Sequence, residues 1–160
     1  MTDTHNNKKN GGGNRRFQQM KRAGRECTVQ ILYLLDASGD WEWDADKNDR
    51  YWDQVAEMGE IPPGVDVEKV RDFTIGLVEA VLEHRGEIDV LLEQAADNWK
   101  LSRMGVVDRN IARLGVCEIK FREDIPPVVS INEAVELAKQ FGDSDSAQFV
   151  NAVLDRILKS

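Results

Sequence analysis

The chain is short of the residues from which sheets, disulfide frameworks and membrane spans are built. Runs of β-branched residues are scarce, and only four prolines interrupt 160 residues. That combination predicts an all-α fold. Two cysteines, Cys27 and Cys117, each fall in a predicted helix with no CxxC partner and no histidine nearby. A disulfide scaffold is excluded, and both thiols read as reduced core residues of a cytoplasmic protein. No apolar run approaches the roughly 18 residues a bilayer span needs, and the N-terminus has no apolar signal segment.

Catalytic side chains are missing in the same way. His84 is the one histidine outside the tail, and no nucleophile or paired carboxylates surround it. The pattern argues against an enzyme, with no catalytic residue, cofactor or metal site expected. The run Asp44-Ala-Asp46-Lys-Asn48-Asp49 resembles the start of a calcium loop. It has Asp49 where that loop turns on glycine and Val55 where it closes on glutamate, so a solvated acidic stretch is the better reading. The triple glycine at 11–13 follows no strand and precedes no GKS, which excludes a phosphate loop.

What remains is ample apolar and charged material. Hydrophobic residues make up 41% and charged residues 31%, enough to form a core and too apolar for disorder throughout. Charge is unevenly placed. The net charge is −8, yet residues 1–25 carry seven Lys/Arg against Asp3 alone, a local +6. The remaining residues hold fourteen basic and twenty-eight acidic side chains, or −14. A basic arm on an acidic body suits contact with a polyanion; a solubilising tail is the other reading.

Periodicity places the elements. Residues 1–16 read as a disordered basic and polar arm, and residues 17–160 as a helical domain with N-terminal helices over 17–85 and C-terminal helices over 86–160. About seven helices are predicted, in two packed subdomains. The first spans Phe17–Ser38, with Val29, Leu32 and Leu35 on one stripe and Ile31 and Leu34 widening it. A poorly defined acidic, Trp-rich helix follows within 41–58, and IPPG at 61–64 breaks the chain. Asp66 caps a third helix to about Arg85; Gly86 interrupts, and a short fourth covers Ile88–Ala96. NWKLSRMG at 98–105 is a connection, and Val106–Phe121 forms the fifth helix. The sixth opens with a capping box, Ser130 and Glu133, and ends at Gly142 in a left-handed conformation. The last starts near Asp145 and buries Val150, Val153, Leu154 and Ile157.

Three groups of side chains stand out. Lys21, Arg22 and Arg25 are clustered early in the first helix, where cations oppose the helix dipole unless an anion meets them. Arg103, Arg109 and Arg113 are basic positions in an otherwise acidic body. Phe149 lies at the edge of the last helix's buried stripe, where an aromatic either completes the core or stacks on an unpaired base.

The segments RECTVQILYLLD (25–36), VVDRNIARLGVCEI (106–119) and VVSINEAVELAKQFGDSDSAQFVNAVLD (128–155) resemble the NusB family of bacterial transcription antitermination factors. The resemblance covers about residues 20–38 and 66–158. It implies an all-α RNA-binding fold of two helical subdomains. It also implies binding of boxA-like single-stranded RNA together with NusE, a small-subunit ribosomal protein. The complex then acts on RNA polymerase during ribosomal RNA synthesis. By match, the RNA surface takes Lys21, Arg22, Arg25, Arg103, Arg113, Asp145, Gln148 and Phe149, and the NusE face takes Tyr33 and Asp108. Ala152 replaces the family's usual glycine, Ala23 and Gly24 interrupt its arginine run, and the acidic stretch 40–62 has no family counterpart. Two alternatives stay open: a helical scaffold that binds protein only, and an RNA-binding domain detached from a ribosomal RNA methyltransferase.

Overall fold

The computed structural model describes residues 4–160, with side chains from Gly13 onward. The described residues form six α-helices and one 3-10 turn. These are α1 (Thr4–Ser38), α2 (Ala45–Met58), α3 (Val67–Ala95), the turn Leu101–Arg103, α4 (Val106–Phe121), α5 (Pro127–Phe141) and α6 (Ser146–Lys159). The all-α expectation holds. The helix α1 continues N-terminal of Phe17, where the sequence pattern starts it, to Thr4. The expected arm over 1–16, Lys8 and Lys9 included, falls largely outside the residues whose side chains are described.

Several local expectations are corrected. The helix α3 runs unbroken past Gly86, because Leu77, Val81, Ile88 and Leu92 make one fully buried stripe across it. That burial outweighs the ~1 kcal/mol helix penalty of one glycine. Leu34 does not widen the α1 stripe; it is exposed. Ser130 and Glu133 form no capping box. The helix α5 already begins at Pro127, which needs no N–H partner there. Ser130 instead donates to buried Glu118 at 3.1 Å. Gly142 has φ −91°, so no left-handed cap is present. Glycine is required by space: a Cβ would collide with Ser146 and lie 2.7 Å from the Ala138 carbonyl oxygen. The acidic run from Asp44 is a helix start, with the Asp44 carboxylate accepting from the Lys47 amide at 2.8 Å.

Two apolar clusters organise the packing. The larger joins α1, α3, α4, α5 and α6 around Leu32, Leu77, Ile111, Leu137 and Leu154. The smaller holds α2 against α1 and α3 through Ile31, Leu35, Tyr51, Trp52 and Val78. Cys27 and Cys117 are buried in these clusters, and burial pushes their thiols up to about 11 and about 12. Gly24 sits where α1 crosses α3, because a Cβ there would collide with the Phe73 ring. Its carbonyl accepts from Thr28 and Thr74 at 2.7 and 3.2 Å. The interruption of the arginine run is therefore a helix-crossing requirement.

Candidate nucleic-acid interface

The turn joining α5 to α6 is short and tightly wired. The Asp143 amide donates to Ser146 Oγ at 2.9 Å, that hydroxyl donates back to the Asp143 carboxylate at 3.2 Å, and the Asp145 amide donates to it at 3.0 Å. Ser146 is buried, whereas Asp143 and Asp145 are exposed. These bonds satisfy the Asp143 and Asp145 amides and tie the turn to the first turn of α6. Gln148 points to solvent and Phe149 is half-buried, with one side packed on the larger core.

Phe149 is not alone. Trp99, in the connection after α3, stands 5.9 Å from it with the ring planes at 87°. Periodicity missed Trp99 because it lies outside any helix; the available signal was a large aromatic in a polar connection. Asp108, Asp143 and Asp145 share a hollow of about 370 Å³ with these two rings.

The sequence-predicted cations divide sharply. Arg22 is exposed, although its guanidinium forks onto Glu133 at 3.1 and 3.2 Å. Lys21 is half-buried, with its ammonium 4.4 Å from the centre of the Phe17 ring, and Arg103 is exposed. Arg25 and Arg113 instead lie inward, paired with carboxylates. Arg25 is buried against Glu118, with Nη2–Oε1 2.8 Å. Arg113 is held by Asp36 and Asp89, both at 2.8 Å, and lies 4.8 Å from the Trp41 ring centre. For a guanidinium already desolvated against a carboxylate, moving to a phosphate would leave that carboxylate buried and unpaired.

Arg113 belongs to a network that i,i+4 spacing did not reveal. Asp36 accepts from Arg109 at 2.5 and 2.6 Å, from Asn110 at 2.9 Å and from Arg113 at 2.8 Å. Burial would push the Asp36 carboxyl up, but those hydrogen bonds outweigh it and hold the carboxyl at about 2. The network clamps the end of α1 to the start of α4.

The two expected partner residues lie on different faces. Tyr33 and Leu34, 44% and 50% exposed, open onto an apolar groove of about 290 Å³ with Val107 and Phe141. Asp108 instead faces the hollow beside Phe149. Successive residues on a helix point about 100° apart, so the first turn of α4 shows Val107 to the groove and Asp108 to the aromatic hollow. Among the described residues no helix is long and apolar enough to cross a membrane.

Comparisons with known proteins bear on this surface. The NusB family model matches residues 22–159. The transcription antitermination protein NusB of Myxococcus xanthus is 45% identical over 137 residues, covering 86% of this chain and 93% of its own length. That of Bacillus mycoides is 39% identical, covering 86% and 95%. Among solved structures, T. maritima NusB superposes with a TM-score of 0.70 at 31% identity, covering 88% of this chain and 91% of that one. A crystal structure of antitermination factors NusB and NusE in complex with dsRNA gives 0.71 at 27% identity, covering 88% and 96%.

Proposed function

From membership of the NusB family, to which this chain belongs, we propose that it is an RNA-binding transcription antitermination factor. It takes boxA-like single-stranded RNA together with NusE and delivers both to RNA polymerase during ribosomal RNA transcription. The observation that carries the reading is the half-buried Phe149 ring beside exposed Asp145 and Gln148, inside the segment the family model matches. A base stacks on that ring, a contact worth about 1–3 kcal/mol and open to any base. Lys21, Arg22 and Arg103 supply phosphate contacts, whereas Arg25 and Arg113 shape the scaffold beneath. Arg22 meets α5 at Glu133, and the α5–α6 turn lies eight residues further on, so the cations and the turn are separated by roughly 12 Å of helix.

Electrostatics favour a joint complex. Outside the first 25 residues the chain carries −14, which opposes RNA approach. A basic partner seated in the groove of Tyr33, Leu34, Val107 and Phe141 would add phosphate contacts next to the aromatic hollow, since both surfaces meet at the first turn of α4. Asp108 lies at that junction. Fluorescence anisotropy with a labelled boxA-like RNA, with and without NusE, tests the proposal. Weak binding alone and at least tenfold tighter binding with NusE is expected, a gain of about 1.4 kcal/mol. Replacing Tyr33 by aspartate should abolish the gain and spare binding by the lone protein. No binding in either condition overturns the reading. A gain that survives Tyr33→Asp overturns the position of the partner.

A further inference from the structure

Trp99 is an expensive residue to leave on a surface, and hydrogen bonds shape the backbone that presents it there. The residues before it, Asp97 and Asn98, both adopt left-handed backbone conformations, with φ 55° and 64°. Two consecutive non-glycine residues in that region carry strain that the surrounding bonds must overcome. The Asn98 amide donates to the Glu93 carbonyl at 2.7 Å, and the Trp99 amide to the Ala96 carbonyl at 3.0 Å. The Leu101 amide donates to the Glu93 carboxylate at 3.1 Å. From α6, Arg156 binds the Ala95 carbonyl at 2.9 Å and the Asp97 carboxylate at 3.0 Å. The arch is thus pinned from both sides, and it presents an indole that is 45% exposed.

The ring geometry specifies what fits. Trp99 and Phe149 are perpendicular, so they cannot hold a flat group between parallel faces. They form a corner instead. A planar group lying on one ring meets the other edge to face, the arrangement aromatic pairs favour. The corner opens into the hollow lined by Asp108, Asp143 and Asp145. Three carboxylates repel a phosphate, whereas they accept hydrogen bonds from the N–H groups on a base edge. An entering nucleotide is therefore turned base inward and phosphate outward, toward solvent.

We propose that Trp99 is a second base-stacking residue, which with Phe149 forms a corner for one unpaired base of the RNA. The assignment rests on the RNA-binding reading above and adds a residue to it. The hydrogen bonds across the arch reduce the loop entropy that is lost when the base arrives.

The test is anisotropy with a labelled boxA-like single-stranded RNA and a set of variants of it, each lacking one base. Wild type, Trp99→Ala, Trp99→Leu and Phe149→Ala are compared at fixed salt, with NusE present throughout. Trp99→Leu keeps apolar bulk against Phe149 but removes the π-face, so it carries the test if the alanine variant folds poorly. Both Trp99 variants should lose affinity by about fivefold to a hundredfold, the range of one lost stack. At one nucleotide, removal of the base should cost wild type that same factor and cost the Trp99 variants almost nothing. An equal loss on every RNA, the variant lacking that base included, would show that Trp99 only supports Phe149 and overturns the proposal. So would wild-type affinity in both Trp99 variants while Phe149→Ala weakens binding, and in that case the wider RNA reading survives. If wild type binds none of the RNAs, both fall together. If the Trp99 variants lose NusE binding and no RNA contact, the corner belongs to the protein partner and the base assignment is wrong.

Discussion

Arg22 and Arg25 sit one turn apart on α1, and each meets a glutamate. Arg22 forks onto Glu133 with its side chain 58% exposed, whereas Arg25 and Glu118 are 3% and 1% exposed. An exposed pair gains little over its hydrated ions, typically below 1 kcal/mol, and can be exchanged for another anion. A buried pair is different. Its partners have given up water, so removing either leaves an uncompensated charge in the core. Arg103 and Arg113 repeat the contrast, the first exposed and the second enclosed by Asp36, Asp89 and the Trp41 ring. Side chains of one chemistry therefore divide by depth: the buried ones are committed to carboxylates in the scaffold, and the exposed ones remain open to exchange.

The strongest way to break that division is to truncate the buried members. Arg25→Ala strands Glu118, whose remaining partner is Ser130 at 3.1 Å. Loss of about 3–5 kcal/mol is expected, read as a lower urea midpoint. RNA affinity of the fraction that stays folded should be unchanged. An Arg25→Ala protein as stable as wild type but defective in RNA binding would reverse the assignment.

Acid should loosen the second buried network, the one around Asp36. The Asp36 carboxyl is held at about 2 in the folded chain, against an ordinary value of 3.8. A depressed carboxyl contributes stability that is present above the unfolded value and is lost as pH falls through the folded one. The melting temperature of wild type should therefore fall between about pH 4 and pH 2. Asp36→Asn should start lower, because Arg109 and Arg113 lose their counter-charge, and should fall less steeply over that window. Parallel curves for the two proteins would show that Asp36 does not carry the acid sensitivity.

Phe149 tests the boundary between the two classes, since one side of its ring packs on the core and the other faces the hollow. Phe149→Ala should weaken RNA binding by about 1–3 kcal/mol. Its cost to folding should stay below the 3–5 kcal/mol typical of a fully buried Phe→Ala change. Chemical denaturation and anisotropy on the same preparation separate the two losses. A folding loss in the full core range with little change in RNA affinity would make Phe149 a core residue.

This boundary also marks what the sequence could reveal. The α4 and α6 helices were legible because Ile111 and Leu114, and likewise Val150, Val153, Leu154 and Ile157, repeat at helical spacing and are buried. Ser130 and Glu133 deceived the reading. Their spacing fits a capping box, but Glu118 and Arg22 claimed them from other helices. The depth of Arg25 and Arg113 was equally hidden, since local spacing shows that two cations share a face and not which carboxylates cover it. Asp36 lies 73 residues from Arg109, and no local pattern links them. Trp99 escaped for the opposite reason: a non-periodic connection gives a side chain no face, and only the fold brings it to Phe149. The family resemblance pointed to these residues, and packing then separated the buried ones from the exposed.

The smallest expected effects belong to the rim cations, and they sharpen the comparison most. Arg22 faces a choice that Arg25 does not, because Glu133 is partly exposed and an RNA phosphate can displace it. Arg22→Ala should change stability by no more than about 0.5 kcal/mol, as surface substitutions usually do. The logarithmic salt dependence of RNA binding should flatten by about 0.7, the value of one phosphate contact to a single strand. Glu133→Gln supplies the converse. It keeps the shape of the side chain but removes the charge that competes with phosphate for Arg22, so RNA affinity should rise by a few fold and the salt slope should remain. The double variant should bind like Arg22→Ala, because the effect of Glu133 acts through that guanidinium. Titrations at three or more salt concentrations, run on all four proteins, give both affinity and slope. A gain from Glu133→Gln that persists without Arg22 would mean that the glutamate repels the RNA directly, and the exchangeable pair would lose its role.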